Sequence, residues 1–393
     1  MKDNIAIVAG KRTGIGSFGG SLKYLQATDL GGIAIKGALE AANVPPSDVD
    51  EVVMGCVGQA AENAFMARVS SIKAGIPYEA SALTVNRLCS SGLQAICTAA
   101  LEIESGFCNI AVAGGAESMT NIPFYLRNAR FGYRMGHGEL EDGLITALSD
   151  PISREHMGIT AENIAEKYAI TREEQDKYAL LSQRRAAEAR RAGRFEDEIL
   201  SVEVKAGKKE TKIFEEDEYI REDMSLEKLA RLRPAFKRDG TVTAGNASGI
   251  NDCGAAVVLM KESEAVKRGI RPLIKIIDSA VAGVDPAYMG TGPIPAVRKL
   301  LKKTGKTLDD IGLIELNEAF ASQSIVCIRE LGIDKEKVNV NGSGISMGHP
   351  IGATGCVITI KLMNEMLRRR EKYGIATLCI GGGQGLAVLF ELS

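Results

Sequence analysis

Val85-Asn86-Arg87-Leu88-Cys89-Ser90-Ser91-Gly92-Leu93-Gln94-Ala95 is a polar turn that opens an amphipathic helix. The helix reads over residues 93–103, and a strand over 109–114 follows it, ending at Gly114-Gly115. A second stretch repeats the plan. His349-Pro350-Ile351-Gly352 leads into a long helix over 352–370, then a strand near 377–380, then Gly381-Gly382-Gly383. Cys89 lies 25 residues before Gly114, and His349 lies 32 before Gly381. The difference is about two helical turns. The pairing predicts a duplicated α/β domain with a reactive residue at a helix entrance in each half.

Working outward, short apolar runs alternate with helical periodicity. Strands are expected at 5–8, 51–57, 273–277, 310–316 and 387–391, and helices at 30–42 and 295–303. Between the halves, residues 151–240 carry 39 charges in 90 residues. Thr171-Arg172-Glu173-Glu174 reads as a capping box opening a helix that Gly193 closes. This charged region is expected to lie outside the main core as a solvated insertion. The division is 1–120, 121–250 and 251–393: two α/β halves and an inserted loop domain.

Composition narrows the function. Lys and Arg total 48 against 50 Asp and Glu, so the net charge is −2. Such a balance argues against nucleic acid or an anionic membrane as partner. Three histidines leave little room for a His-rich metal site. Eight cysteines show no metal-type or CxxC spacing, which suits a reduced cytoplasmic protein. Glycine is abundant, 43 of 393, which predicts close backbone approaches. Gly14-x-Gly16-x-x-Gly19 mimics a dinucleotide fingerprint, but Lys11-Arg12-Thr13 intervenes after the strand and no acidic residue closes a second one. It reads as a turn.

Four segments carry chemistry. Cys89 at a helix N-terminus faces free amides and a positive dipole end, which predicts a lowered thiol pKa. Taken alone, it reads equally as a small buried residue. His349 sits among glycines that let backbone approach a ligand. Asn317-Glu318-Ala319-Phe320 follows a strand, where α/β folds place their sites. Cys379 precedes Ile380-Gly381-Gly382-Gly383.

Together these segments resemble the thiolase family from end to end, with the nearest likeness to its acetyl-CoA acetyltransferase branch. His156-Met157-Gly158-x-Thr160-Ala161-Glu162-Asn163 and Thr243-Ala244-Gly245-Asn246-Ala247-Ser248-Gly249 add to the match. The resemblance implies layered αβαβα halves. It implies that Cys89 is the nucleophile, His349 its base, Asn317 a water-positioning group and Cys379 the second acid/base. The amides of Cys89 and Gly381 would form an oxyanion hole. His156, Met157, Arg221, Phe236, Ala244, Ser248 and Phe320 would line the coenzyme A tunnel, and Met289 would block its acyl end. Two lowered thiol pKa values and one imidazole would then perform all proton transfers. Acetyl-CoA, acetoacetyl-CoA and CoA are the expected substrates and products, with no cofactor. The family further implies a homotetramer, with 128–138 as a contact loop. Ser90 departs from the glycine often found after the nucleophile. Three competing readings stand beside this one. A decarboxylating ketoacyl synthase shares the architecture but lacks the second Cys. A broader-chain 3-ketoacyl-CoA thiolase would share the whole site, and a non-catalytic acyl-CoA-binding protein would have lost part of it.

Overall fold

The computed structural model describes residues 3–207 and 209–393. Its main strands are β1 (Ile5–Thr13), β2 (Glu51–Gly55), β3 (Ser81–Val85), β4 (Ile110–Ser118), β5 (Asn251–Lys261), β6 (Ile274–Gly283), β7 (Leu313–Leu316), β8 (Tyr373–Ile380) and β9 (Gln384–Leu392). Its main helices are α1 (Ala27–Ala42), α2 (Met66–Lys73), α3 (Ser91–Ser105), α4 (Met157–Lys167), α5 (Arg172–Arg191), α6 (Pro293–Thr304), α7 (Ala321–Leu331) and α8 (Thr354–Arg369).

The duplication is written in the pairing. From β1, the first half runs antiparallel to β5, antiparallel to β4, then parallel to β2 and β3. From β6, the second half runs antiparallel to β9, antiparallel to β8, then parallel to β7 and to a bridge at Val338. The halves meet where Ile5–Ile7 of β1 pairs antiparallel with Ile274–Ile276 of β6.

Three large cores hold the helices against the sheet. In the middle, Leu93, Ile96 and Ile103 of α3 pack with Val357, Ile360 and Met363 of α8 between the two halves of one continuous sheet. One outer core joins Leu30, Ile35 and Met66 of α1 and α2 to Val52, Met54 and Val112. The other joins Val297, Leu300 and Val326 of α6 and α7 to Ile314 and Ile375. The strands face two ways, as the period of two requires: Val52 and Met54 face one core, Val53 the other. Helices α3 and α8 touch backbone to backbone. A Cβ on Gly92 would stand 2.8 Å from the Cys356 nitrogen, and one on Gly355 would stand 2.2 Å from that of Leu93. Only glycine permits this approach, and it brings the entrances of both helices together.

Several expectations change. The segment 151–240 is not confined to the outside. Ala186, Ala187, Ala189 and Phe195 enter the middle core, Ile164 and Ile170 one outer core, and Val202, Val204 and Phe214 the other. Its small-residue stripe is buried while most of its charges face water, with Glu162, Asp176, Glu198 and Asp217 buried. The Thr171/Glu174 capping box is present. β5, placed in the second half by the 250/251 division, pairs with β1 and β4 of the first. Residues 308–310 form a 3₁₀ turn, so β7 starts only at Leu313, and α8 starts at Thr354. Gly16-Ser17 pairs with β5, so the Gly14–Gly19 run opens no helix. Among the described residues, no helix is long and apolar enough to cross a membrane. Phe131 and Met135, within 128–138, are exposed.

Candidate active site

Cys89 sits in a turn held by its neighbours. Leu88 just before it has φ +45°, a left-handed conformation that costs a branched side chain about 1–3 kcal/mol. Two side chains hold it there. Asn86 Oδ1 accepts from the Leu88 N–H at 3.0 Å. Ser91 Oγ accepts from the Arg87 N–H at 2.9 Å and donates to the Leu88 carbonyl at 2.7 Å. Cys89 is half-buried, whereas the other seven cysteines are buried.

The thiol pKa corrects the expectation from helix position. Burial pushes Cys89 up to about 11, against the lowering pull of the Gly381 and Cys89 amides, with the Glu117 charge also raising it. Desolvation of a thiolate outweighs the dipole here. Cys379 is also raised, by burial first and then by the charge of Cys89. In the unliganded protein, alkylation at Cys89 by iodoacetamide should keep rising with pH through 9 and 10. A plateau near pH 8 in peptide mass spectra would mean that the helix entrance prevails over burial.

His349 is buried, and burial lowers it to about 4, so it is neutral at pH 7. Its tautomer follows from one hydroxyl. Thr354 Oγ donates to the Pro350 carbonyl at 2.8 Å, so toward His349 Nδ1, 2.7 Å away, it acts as acceptor. The proton is on Nδ1 and the lone pair on Nε2, which faces the Asn317 amide. Asn317 Nδ2 lies 3.3 Å from that Nε2. The Asn317 backbone is fixed by its N–H to the Thr377 carbonyl at 3.0 Å, and its Oδ1 is buried with no protein partner. Asn251 Oδ1 accepts from the His349 N–H at 3.0 Å. Neither Thr354 nor Asn251 stands out in the sequence. Asn251 lies 98 residues from His349, so no local pattern signals it.

A second cluster packs against Cys379. Met289, Phe320, Ala247, Val242 and Ala161 are buried with it, and Met157 and Phe236 close the edge. A Cβ at Gly381 would lie 3.2 Å from Leu88 and 3.5 Å from the Met157 sulfur, which joins this cluster to the Cys89 turn. His156 caps α4, its Nδ1 accepting from the Gly158 N–H at 3.0 Å. Its ring stacks on Phe236 at 4.8 Å, and Phe236 meets Phe320 edge-on at 6.2 Å. The Ser248 N–H donates to the Ala319 carbonyl at 3.0 Å, laying the 246–248 strip along Phe320. Ala244 is exposed in the turn before it. Arg221 is also exposed. Its guanidinium lies 5.2 Å over Tyr219, whose ring lies beside Gly249, so it adjoins this strip through Tyr219.

Known proteins resemble this chain from end to end. Residues 5–263 match the model of the thiolase N-terminal domain, and 270–392 that of the thiolase C-terminal domain. The chain is 48% identical over 393 residues to the beta-ketothiolase BktB of Cupriavidus necator, covering 100% of both chains. It is 50% identical over 388 residues to an acetyl-CoA acetyltransferase of Chromobacterium violaceum, covering 98% of this chain and 99% of that one. Its fold matches the crystal structure of the Bacillus anthracis acetyl-CoA acetyltransferase with a TM-score of 0.98 at 46% identity, over 100% and 99% of the two chains. It matches human mitochondrial 3-ketoacyl-CoA thiolase in complex with CoA at 0.96 and 45%, over 100% and 98%. The paired halves, the family models that cover them and these full-length relatives agree: the chain belongs to the thiolase family and is an acyltransferase enzyme.

Proposed function

We propose that the protein condenses two acetyl-CoA to acetoacetyl-CoA and CoA, and runs the reverse thiolysis, through an acetyl-Cys89 thioester. His349 Nε2 takes the Cys89 proton as Sγ attacks the acetyl carbonyl. The departing CoA thiolate takes the Cys379 proton and leaves Cys379 as a thiolate. Cys379 then removes the α-proton of the second acetyl-CoA, and the carbanion attacks acetyl-Cys89. Its enolate oxygen is held by His349 and a water on Asn317. The tetrahedral oxyanion is held by the Cys89 and Gly381 amides, a contribution of roughly 2.7–4 kcal/mol per donor. Cys89 leaves and regains its proton from His349. The observation that carries this reading is the packing of the Cys89 turn: Cys89 meets the cluster of Ile351, two residues from the buried neutral His349, and Leu88 meets Gly381, two residues from Cys379. High resting pKa values suit it: each thiol keeps its proton until a thioester arrives. His156, Met157, Phe236, Phe320, Ala244 and Ser248 would receive the pantetheine arm, with Arg221 near the nucleotide.

Chain length follows from Met289. It is buried with Cys379 and Phe320, where an acyl tail longer than acetoacetyl would extend. Thiolysis of acetoacetyl-CoA should exceed that of 3-oxohexanoyl-CoA by about tenfold or more in kcat/KM. The Met289→Ala variant should narrow the ratio by admitting the longer chain. Equal rates in the wild type would favour the second reading, a broader 3-ketoacyl-CoA thiolase. The likeness to the human mitochondrial enzyme keeps that reading in view.

A further inference from the structure

The duplication extends to single residues around the site. Gly55 pairs with Gly115 at the end of β2, and Leu316 pairs with Thr377 at the end of β7. Counting on from these pairs, Cys56 is the counterpart of Asn317, and Glu117 that of Cys379. At the helices, the reciprocal approaches of Gly92 to Cys356 and of Gly355 to Leu93 make the two glycines counterparts. Gly352 is then the counterpart of Cys89. The first half thus holds its own copy of the cradle, built from Cys56, Glu117 and Gly352.

That copy is filled from within. Glu117 is 1% exposed. Its Oε2 accepts from the Val57 and Gly352 N–H groups at 2.9 Å each, and its Oε1 accepts from the Gly58 N–H at 3.0 Å. Cys56 Sγ lies 3.7 Å from Oε1. A Cβ at Gly352 would stand 2.5 Å from Oε2, so the turn is built around this carboxylate. The Gly352 N–H occupies the place that the Cys89 N–H takes in the other half. It lies three residues after His349, in the turn that aims the imidazole.

We propose that Glu117 is a positioning residue, a built-in anion that fills the counterpart of the oxyanion cradle and so fixes the turn from His349 to Gly352. The proposal rests on the functional reading above. Removing the carboxylate leaves two buried N–H donors, of Gly58 and Gly352, and the part-buried one of Val57 without an acceptor. The turn is free to shift, and an ångström of misplacement costs about 10²-fold in rate.

The test is formate rescue of Glu117→Ala, since formate carries the same carboxylate. Without formate, kcat for acetoacetyl-CoA thiolysis should fall about 10²-fold with KM little changed. Formate should restore kcat saturably and raise the Tm of this variant. Chloride at equal ionic strength should do neither, and the wild type should respond to neither. Glu117→Gln fills the cradle with an amide, so it should lose kcat and resist rescue. Wild-type kcat in Glu117→Ala would overturn the proposal, as would formate moving neither kcat nor Tm. Should Glu117→Ala not fold, Glu117→Gln decides: lost kcat at unchanged KM supports the proposal, and wild-type kcat overturns it. The formate-dependent Tm is read without turnover. A wild type inert toward acetoacetyl-CoA would therefore sink the functional reading while leaving the cradle testable.

Discussion

Replacing Cys89 with alanine is expected to lower kcat for acetoacetyl-CoA thiolysis by roughly 10⁴-fold or more, the scale seen when a covalent nucleophile is removed. The substitution deletes one atom from a half-buried side chain. The turn around it is held by Asn86, Ser91 and backbone, none of which needs the sulfur. The fold should therefore persist, and the loss is chemical. Without Sγ no acyl-enzyme forms, and the free imidazole has no thiol to deprotonate. Two measurements separate the roles. Wild type incubated with acetyl-CoA should gain one acetyl group on the Cys89 peptide, and Cys89→Ala should gain none. Cys379→Ala should still be acetylated, though more slowly, because it keeps the nucleophile while losing the proton donor to the departing CoA and the base for the α-proton. Turnover in Cys89→Ala close to that of the wild type would move the nucleophile elsewhere.

The elements and residues legible in the sequence are those whose causes are local. The Thr171/Glu174 box needs only four residues, and it stands as read. The amphipathic period of α3 and the glycine run between β8 and β9 are likewise short-range. Cys89, His349, Asn317 and Cys379 are visible as motifs, but their relation is not. The expected counterpart of Cys89 is His349, whereas the packing of Gly92 against Gly355 makes it Gly352. β5 is hidden in the sequence because Cys253-Gly254-Ala255-Ala256 has weak strand propensity. It is a strand because β1 and β4 flank it on both sides. The thiol pKa departs from expectation for a similar reason. A helix entrance can be read from sequence, but the burial that outweighs it comes from residues distant along the chain, Met119, Ile122, Leu144 and Ile351. The orientation of His349 by Thr354 and Asn251 is also a product of tertiary structure.

Arg12→Ala is expected to destabilise the protein by about 3–5 kcal/mol, the cost of leaving a buried charge without its partner. Arg12 is completely buried at the end of β1. Its Nε and Nη2 donate to Glu198 Oε1 at 2.9 and 2.7 Å. Its Nη1 and Nη2 donate to Asp217 Oδ1 and Oδ2 at 2.7 and 3.0 Å. Both carboxylates are buried with it. Asp217 also accepts from the Ile15 N–H at 2.8 Å, and Glu198 from Asn364 Nδ2 of α8 at 3.0 Å. One guanidinium thus ties β1, the segment between the halves and α8 into a single network. With alanine, two carboxylates face each other in the interior with no cation between them. The urea midpoint should drop in proportion, while Arg12→Lys should fall between the two because it keeps the charge but loses the planar fork. The network also explains why a segment so rich in charge still packs into all three cores: part of its charge is neutralised inside. If the charges only compensate one another, replacing Arg12, Glu198 and Asp217 together with Met, Leu and Leu should recover much of the stability lost in Arg12→Ala. An Arg12→Ala protein as resistant to urea as the wild type would show that the segment is held by its apolar contacts alone.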